Sequence, residues 1–236
     1  MLDPATSNAL SDPPAGLKAE REIFERILGA IAERRLPPGT KLTEENLVEI
    51  FGVTRARVRK VLLLLSQRGV VTLEPNRGAF VAEPSAAETA ALFQARRVIE
   101  SETTAMVARL PASQRDEALA RLDAHLAEED AARRAGDHGR MIRLSGEFHR
   151  LAAELAGNPV LAAMIEDLVW RTALALAAHA TRHDTECSPA EHVEIVAAIR
   201  QGDAAAAVRL MVEHLEHVSA SVTRREEGPG SFLPAR

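Results

Sequence analysis

Thr54-Arg55-Ala56-Arg57-Val58-Arg59-Lys60-Val61-Leu62 is the stretch on which the reading of the fold turns. Coiled into a helix, it and the residues after it place Val58, Val61, Leu62 and Leu65 at i, i+3, i+4 and i+7, one apolar stripe that needs a core to pack against. On the other side Arg55 and Arg59 stand one turn apart, with Arg57 and Lys60 widening a cationic surface that no nearby acid neutralises. Like charges packed this densely repel one another unless an anion answers them, and the phosphates and guanine edges of DNA are such an anion. Four cations also describe an ordinary solvated helix face. The flanking sequence decides between the two.

Upstream, Ile23, Phe24, Ile27, Leu28 and Ile31 keep a helical period between Leu17 and Arg35 until Leu36-Pro37-Pro38-Gly39 stops it. Thr43 is placed to cap a short helix from Glu44 to Ile50 with two acids in its first turn. Phe51-Gly52-Val53 makes a tight turn, and Thr54 caps the basic helix. Downstream of Gly69 the period becomes that of strands. Val70-Val71-Thr72-Leu73 and Ala79-Phe80-Val81 flank Glu74-Pro75-Asn76-Arg77-Gly78, a β-hairpin with Arg77 and Gly78 at its tip. Helix, turn, basic helix and hairpin in that order make a winged helix-turn-helix, three helices and a two-stranded wing. Arg77 would reach a phosphate backbone or minor groove, and Gly78 would let the chain come close.

Charge is partitioned along the 236 residues, whose net formal charge is −5. Residues 17–83 hold 12 Lys and Arg against 9 Asp and Glu; residues 84–236 hold 17 against 23. A basic module joined to an acidic one suits a nucleic-acid reader coupled to something else. Residues 1–16 lack an apolar core, which excludes a signal peptide or membrane span there and predicts a disordered leader. Cys187 is the sole cysteine and cannot form an internal disulfide, so a cytoplasmic setting is expected. It reads as an unremarkable loop thiol, with a redox or metal sulfur as the alternative.

Residues 84–226 read as an all-α antiparallel bundle of about six helices, near 86–109, 113–135, 138–156, 159–182, 189–201 and 203–226. Their starts are marked by a Ser85–Glu88 capping box, Ser113-x-x-Asp116, Asp137, Pro159 and Ser188-Pro189-x-Glu191. A Gly- and Pro-rich flexible tail is expected over 227–236. All eight histidines lie at or beyond His125. His149, His192 and His214 fall on the apolar stripes of three different helices. Each could be a satisfied core histidine, or the three could share a divalent ion, for which neutral imidazole suits zinc, nickel or cobalt. Glu147 and Glu191 fall off those stripes. His125, His138, His179, His183 and His217 read as surface residues. Arg97 and Arg171 are candidate anchors for an anionic effector, or else salt-bridge partners of one of the many acids.

Residues 17–83 resemble the DNA-binding domain of GntR-superfamily bacterial transcription regulators in Leu36-Pro37-Pro38-Gly39-Thr40-Lys41-Leu42, Phe51-Gly52-Val53-Thr54-Arg55-Ala56-Arg57-Val58-Arg59 and Arg77-Gly78-Ala79-Phe80-Val81. The resemblance implies that Arg55 and Arg59 contact bases or phosphates, that Thr54 bonds a phosphate and that the wing enters the minor groove. Two positions depart from it: many relatives have arginine where Glu45 stands and proline where Arg57 stands. Residues 90–220 resemble the FCD ligand-binding domain of the FadR-type subfamily in Arg96-Arg97-x-x-Glu100, Phe148-His149, Ala156-Gly157-Asn158-Pro159, Glu191-His192-x-x-Ile195 and His214-Leu215. That family commonly holds a metal with one aspartate and three histidines, and the metal anchors a small carboxylate. The histidines match His149, His192 and His214, while Ser145 stands where the aspartate would be. The resemblance therefore implies a three-histidine site, zinc first among the candidates, that is completed by water or effector, or weakened, or vacant. Arg97, Ser145, Asn158 and Arg171 are the residues expected around the effector.

The functional expectation is a ligand-responsive transcriptional repressor. A homodimer would bind a palindromic DNA operator, and a small organic acid in the acidic bundle would change the placement of the two winged helices. The rival is a metal-dependent hydrolase using the three histidines. It has against it the missing aspartate and the absence of any His-Glu-x-x-His spacing. A non-specific architectural DNA protein would have no use for the large acidic bundle.

Overall fold

The computed structural model describes residues 15–179 and 188–223. Most of the expected leader, the tail over 227–236, Cys187 and His183 lie outside the described residues, as does the side chain of His179. The chain order is α1 (Ala15–Ala32), β1 (Lys41–Leu42), α2 (Glu44–Phe51), α3 (Arg55–Gln67), β2 (Val71–Glu74), β3 (Gly78–Val81), then α4 (Ala86–Ala108), α5 (Ala112–Ala135), α6 (His138–Leu155), α7 (Pro159–His179), α8 (Ser188–Gln201) and α9 (Ala204–Thr223). It is mainly helical, a winged helix-turn-helix followed by a six-helix bundle.

The apolar stripe of α3 is the keel of the first module. Val58, Val61, Leu62 and Leu65 are all buried, packed against Ile23, Ile27 and Ile31 of α1 and against Val71, Ala79 and Val81 of the hairpin. Thr43 and Thr54 cap α2 and α3 by accepting from the backbone N–H of Asn46 and Arg57. Between them Gly52 takes φ +62°, a left-handed conformation that lets α2 stop and α3 start at a new angle. The wing differs from the expected two strands. Lys41 and Leu42 form a third strand, antiparallel to β3, which becomes the middle of the order β1-β3-β2. Two residues carry no period, so β1 left no trace in the sequence. At the hairpin end Gly78 pairs with Glu74 in the ladder, leaving Pro75, Asn76 and Arg77 as the turn.

The bundle starts with the expected Ser85–Glu88 capping box. Asp137 caps α6 and Pro159 opens α7 as expected. The start of α5 differs: Pro111 is its N-cap and no side chain caps it, so Ser113 lies inside the helix. The bundle core is filled by Phe148, Ile195, Ile199, Met211 and Leu215 with Leu119 and Leu122. Among the described residues no helix is long and apolar enough to cross a membrane.

The two modules meet along α7. Leu174 of that helix is buried in the core of the winged helix, and Trp170 packs against the same core. Arg34 donates to the carbonyl of Leu176 at 2.9 Å, Arg68 lies 3.1 Å from Asp167, and Arg143 of α6 lies 3.8 Å from Glu33.

Candidate DNA-binding surface and histidine site

Of the cations of α3, Arg55, Arg59 and Lys60 are exposed and Arg57 is half-buried, and none of the four is free. Arg55 lies 3.0 Å from Glu45 and 3.7 Å from Glu44, and Arg59 lies 2.7 Å from Glu44. Lys60 lies 2.7 Å and Arg57 3.9 Å from Glu20 of α1. This corrects the expectation of an unneutralised row. The carboxylates come from neighbouring helices, so the acids that matter are near in space and distant in sequence. The cationic face is also divided, with Arg55 and Arg59 on the α2 side of the apolar stripe and Arg57 and Lys60 on the α1 side. Hydrogen bonding to Glu44 raises the pKa of Arg59 further. Pairs this exposed contribute little, roughly 0–1 kcal/mol, so a phosphate can exchange for a carboxylate at small cost. Arg77 at the wing turn pairs with Glu74 and stacks over Phe80. Gly78 holds φ +104°, which side-chain-bearing residues avoid.

In the bundle, the three histidines come together from α6, α8 and α9. The Nε2 of His214 lies 3.2 Å from that of His149 and 3.4 Å from that of His192. The three are buried, and their ligand atoms lie within 4.8 Å of one another. Each Nδ1 has a carboxylate partner: Glu100 at 2.5 Å for His149, both oxygens of Glu129 at 3.0 Å for His192, and Glu191 at 2.7 Å for His214. Phe148 stacks on His192 with ring centres 3.9 Å apart and fixes its plane.

The ionisation of this cluster follows from burial and pairing. Burial alone would raise Glu100, but Arg96 and the His149 N–H hold it down to about 2. Burial likewise opposes the ionised Glu129, yet hydrogen bonds from His125 and His192 hold it down to about 2. Glu191 is lowered against its burial by His214 and His217. Burial pushes His149 down to about 3 against the pull of Glu100, and His192 down to about 4 against that of Glu129. Carboxylates that stay ionised accept from Nδ1–H, so each ring turns its Nε2 toward the other two. His149 and His192, held neutral by burial, each present an Nε2 lone pair there that a divalent cation would take up. The donor set therefore fits a metal: three imidazoles, each oriented by a carboxylate behind it.

A cavity of about 60 Å³ opens on His149 and His214 and is walled by Arg96, Ser145, Gly146 and Thr172 with Met141, Val169 and Leu176. Of the four residues expected around an effector, Ser145 alone lines it. Asn158 instead caps α7, accepting from the N–H of Val160 and Leu161. Arg171 is turned toward Gly69 of the winged helix. Arg97 is half-buried and outside the cavity lining, and its neighbour Arg96 takes the position sought. Arg96 is buried, donates to Glu100 at 2.6 Å, and has an Nη2 without a hydrogen-bond partner. The helical phase of α4 separates the two arginines, and the sequence offered no apolar stripe clear enough to fix that phase.

Sequence reasoning also missed the three carboxylates. Glu191 is a partner of His214 and His217 rather than a bystander. Two of the five histidines expected at the surface are drawn inward. His125 donates to the carbonyl of Leu144 at 2.9 Å and lies 3.5 Å from Glu129, which raises its pKa against its burial. His138 is half-buried. His217 is exposed as expected.

Comparison with known proteins gives two domain families in this chain: the FCD domain over residues 91–217, and the bacterial regulatory proteins of the gntR family over residues 19–81. The HTH-type transcriptional repressor RspR of Escherichia coli is 27% identical over 217 residues, which cover 90% of this chain and 92% of that protein. The HTH-type transcriptional repressor NanR of Citrobacter rodentium is 29% identical over 235 residues, covering 89% and 87%. Among solved structures, a GntR transcriptional regulator from Rhodococcus superposes with a TM-score of 0.77 at 23% identity, covering 87% of this chain and 97% of that one. Escherichia coli McbR/YncC gives 0.75 at 20% identity, covering 89% and 98%.

Proposed function

We propose, from the premise that this chain belongs to the GntR family of bacterial regulatory proteins and carries an FCD domain, that it is a FadR-type, metal-dependent repressor released from DNA by a small organic acid. That it is a DNA-binding regulator and not an enzyme follows from the family, which disposes of the hydrolase. The finer reading rests on one observation. α7 walls the histidine cavity with Val169, Thr172 and Leu176 and seats the winged helix with Trp170 and Leu174. Whatever fills the cavity presses on the element that carries the reading head.

His149, His192 and His214 would hold the ion, zinc first and nickel or cobalt after it. A divalent ion there would supply an open Lewis-acidic position for an effector oxygen, and the serine at 145 leaves that position without a resident carboxylate. Arg96 contributes what the chain itself can offer to an anion: a buried guanidinium with an unsatisfied donor on the cavity wall. The volume suits a molecule of a few heavy atoms, a short hydroxy or keto acid. Two such chains, as a cytoplasmic homodimer, would set two α3 helices into successive major grooves about 34 Å apart over a palindromic operator.

The test is fluorescence anisotropy of the full chain on a duplex selected from random sequence, with zinc, over a salt series and against a panel of short carboxylic acids. The expected result is nanomolar binding that weakens steeply with salt and is released by one class of acid. Binding with no salt dependence, or release by no acid only while chelator-treated and zinc-loaded protein behave alike, would sink the reading.

A further inference from the structure

Glu45 stands in the first turn of α2 with its side chain two-thirds exposed and its carboxylate 3.0 Å from Arg55 Nη2. Glu44 beside it is more shielded and is shared between Arg55 and Arg59. In a helix-turn-helix the N-terminal residues of the second helix meet base edges, so anything within hydrogen-bond reach of Arg55 is carried into the groove with it. A carboxylate so placed is repelled by phosphate and by the acceptors of guanine. It is satisfied in the major groove only by an exocyclic amino group. Adenine offers one at N6 but places the N7 acceptor beside it. Cytosine offers N4 with no acceptor on that edge. Arginine seeks the opposite pattern, the O6 and N7 of guanine. Base pairs stack about 3.4 Å apart, so two side chains in contact with each other can reach successive pairs.

Resting on the DNA-binding reading above, we propose that Glu45 is a specificity-determining residue. It accepts from cytosine N4 at the position next to the guanine that Arg55 reads, so the pair reads two adjacent base pairs as a unit. Glu44 acts as a positioning residue, holding Arg59 and the near side of Arg55.

The test is selection from randomised duplexes with the full zinc-loaded chain, wild type against Glu45→Gln and Glu45→Arg, followed by affinities on single-base variants of the selected site. Both substitutions lie on an exposed turn whose Thr43 cap is untouched, and unchanged thermal midpoints would confirm folding. Wild type should select guanine with cytosine at the adjacent pair. Glu45→Gln should shift that neighbour toward adenine, because a carboxamide bonds N6 and N7 together. Glu45→Arg should shift it toward guanine, and each should lose about 5- to 30-fold of the discrimination for cytosine. If both variants bind every duplex more tightly by one common factor with the consensus unchanged, Glu45 is only a repulsive fence and the proposal fails. If wild type selects no consensus at all, the operator-binding reading falls and takes this inference with it.

Discussion

The winged helix and the histidine bundle both pair cations or imidazoles with carboxylates, and they place those pairs on opposite sides of the water boundary. On α3 the partners Glu20, Glu44 and Glu45 reach cations that stay in solvent, where pairing is weak and exchangeable. In the bundle Glu100 and Glu129 are buried with the imidazoles they hold, where leaving either partner alone costs several kcal/mol. The same chemistry thus gives a surface that can trade its carboxylates for DNA and a cluster whose geometry cannot drift. A reader of phosphates must be able to let go of its own acids. A buried cluster of imidazoles and carboxylates must not.

The largest effect should come from breaking the buried half. His192→Ala opens a cavity in the core and leaves buried Glu129 with His125 as its remaining partner, so about 3–5 kcal/mol of stability should go with the ring. Scanning calorimetry should show a fall on the order of 10 °C in the midpoint, with the zinc content dropping in parallel. A midpoint within 2 °C of wild type, about what a surface substitution gives, would mean the cluster does not hold the bundle together. Chelation of zinc-loaded protein should cost about 4 kcal/mol if the ion is held a thousandfold above its Kd.

Acid should act on the buried half. His149 and His192 are held down to about 3 and 4, below the ordinary 6.5. The unfolded chain therefore takes up protons below pH 6.5 that the folded chain refuses, so stability falls as pH drops from 6.5 toward 4. Glu100 and Glu129, held down from 4.5 to about 2, extend the loss below pH 4.5. Urea midpoints measured from pH 7 to 4 should decline throughout, and a plateau across that range would contradict the neutral, carboxylate-backed rings.

On the exposed half, Arg55→Ala should weaken the selected operator about 10- to 100-fold. Its calorimetric midpoint should not move. This contrast mirrors what could be read from the sequence. The stripe of α3, the turn at Gly52 and the three inward histidines announce themselves by period and local chemistry, because helical phase is a property of nearby residues. Glu100 lies 49 residues from His149, and Glu129 lies 63 from His192. Glu20 on α1 is likewise remote from Lys60. Those pairings exist only after the helices have packed, so no window of sequence displays them. Arg96 was missed for a related reason: α4 is packed on several sides and has no single polar face to betray which of two adjacent arginines turns inward.

The smallest effect should be found where the two regions touch. Arg68 at the end of α3 lies 3.1 Å from Asp167 and 3.7 Å from Glu166 on α7, and its guanidinium stacks over Phe24. The pair is part-exposed, so its removal should change stability by about 1 kcal/mol at most. Its place matters more than its strength, because it joins the recognition helix to the helix that walls the cavity. Arg68→Ala should therefore leave effector-free operator affinity within about 2-fold and zinc content unchanged. The ratio of operator affinities without and with a releasing acid should shrink by about 2- to 5-fold. Anisotropy titrations at saturating acid measure that ratio directly. An undiminished ratio would mean that the bundle speaks to α3 through the apolar seat of Trp170 and Leu174 alone, and the corresponding Leu174→Ala variant would then have to carry the whole loss.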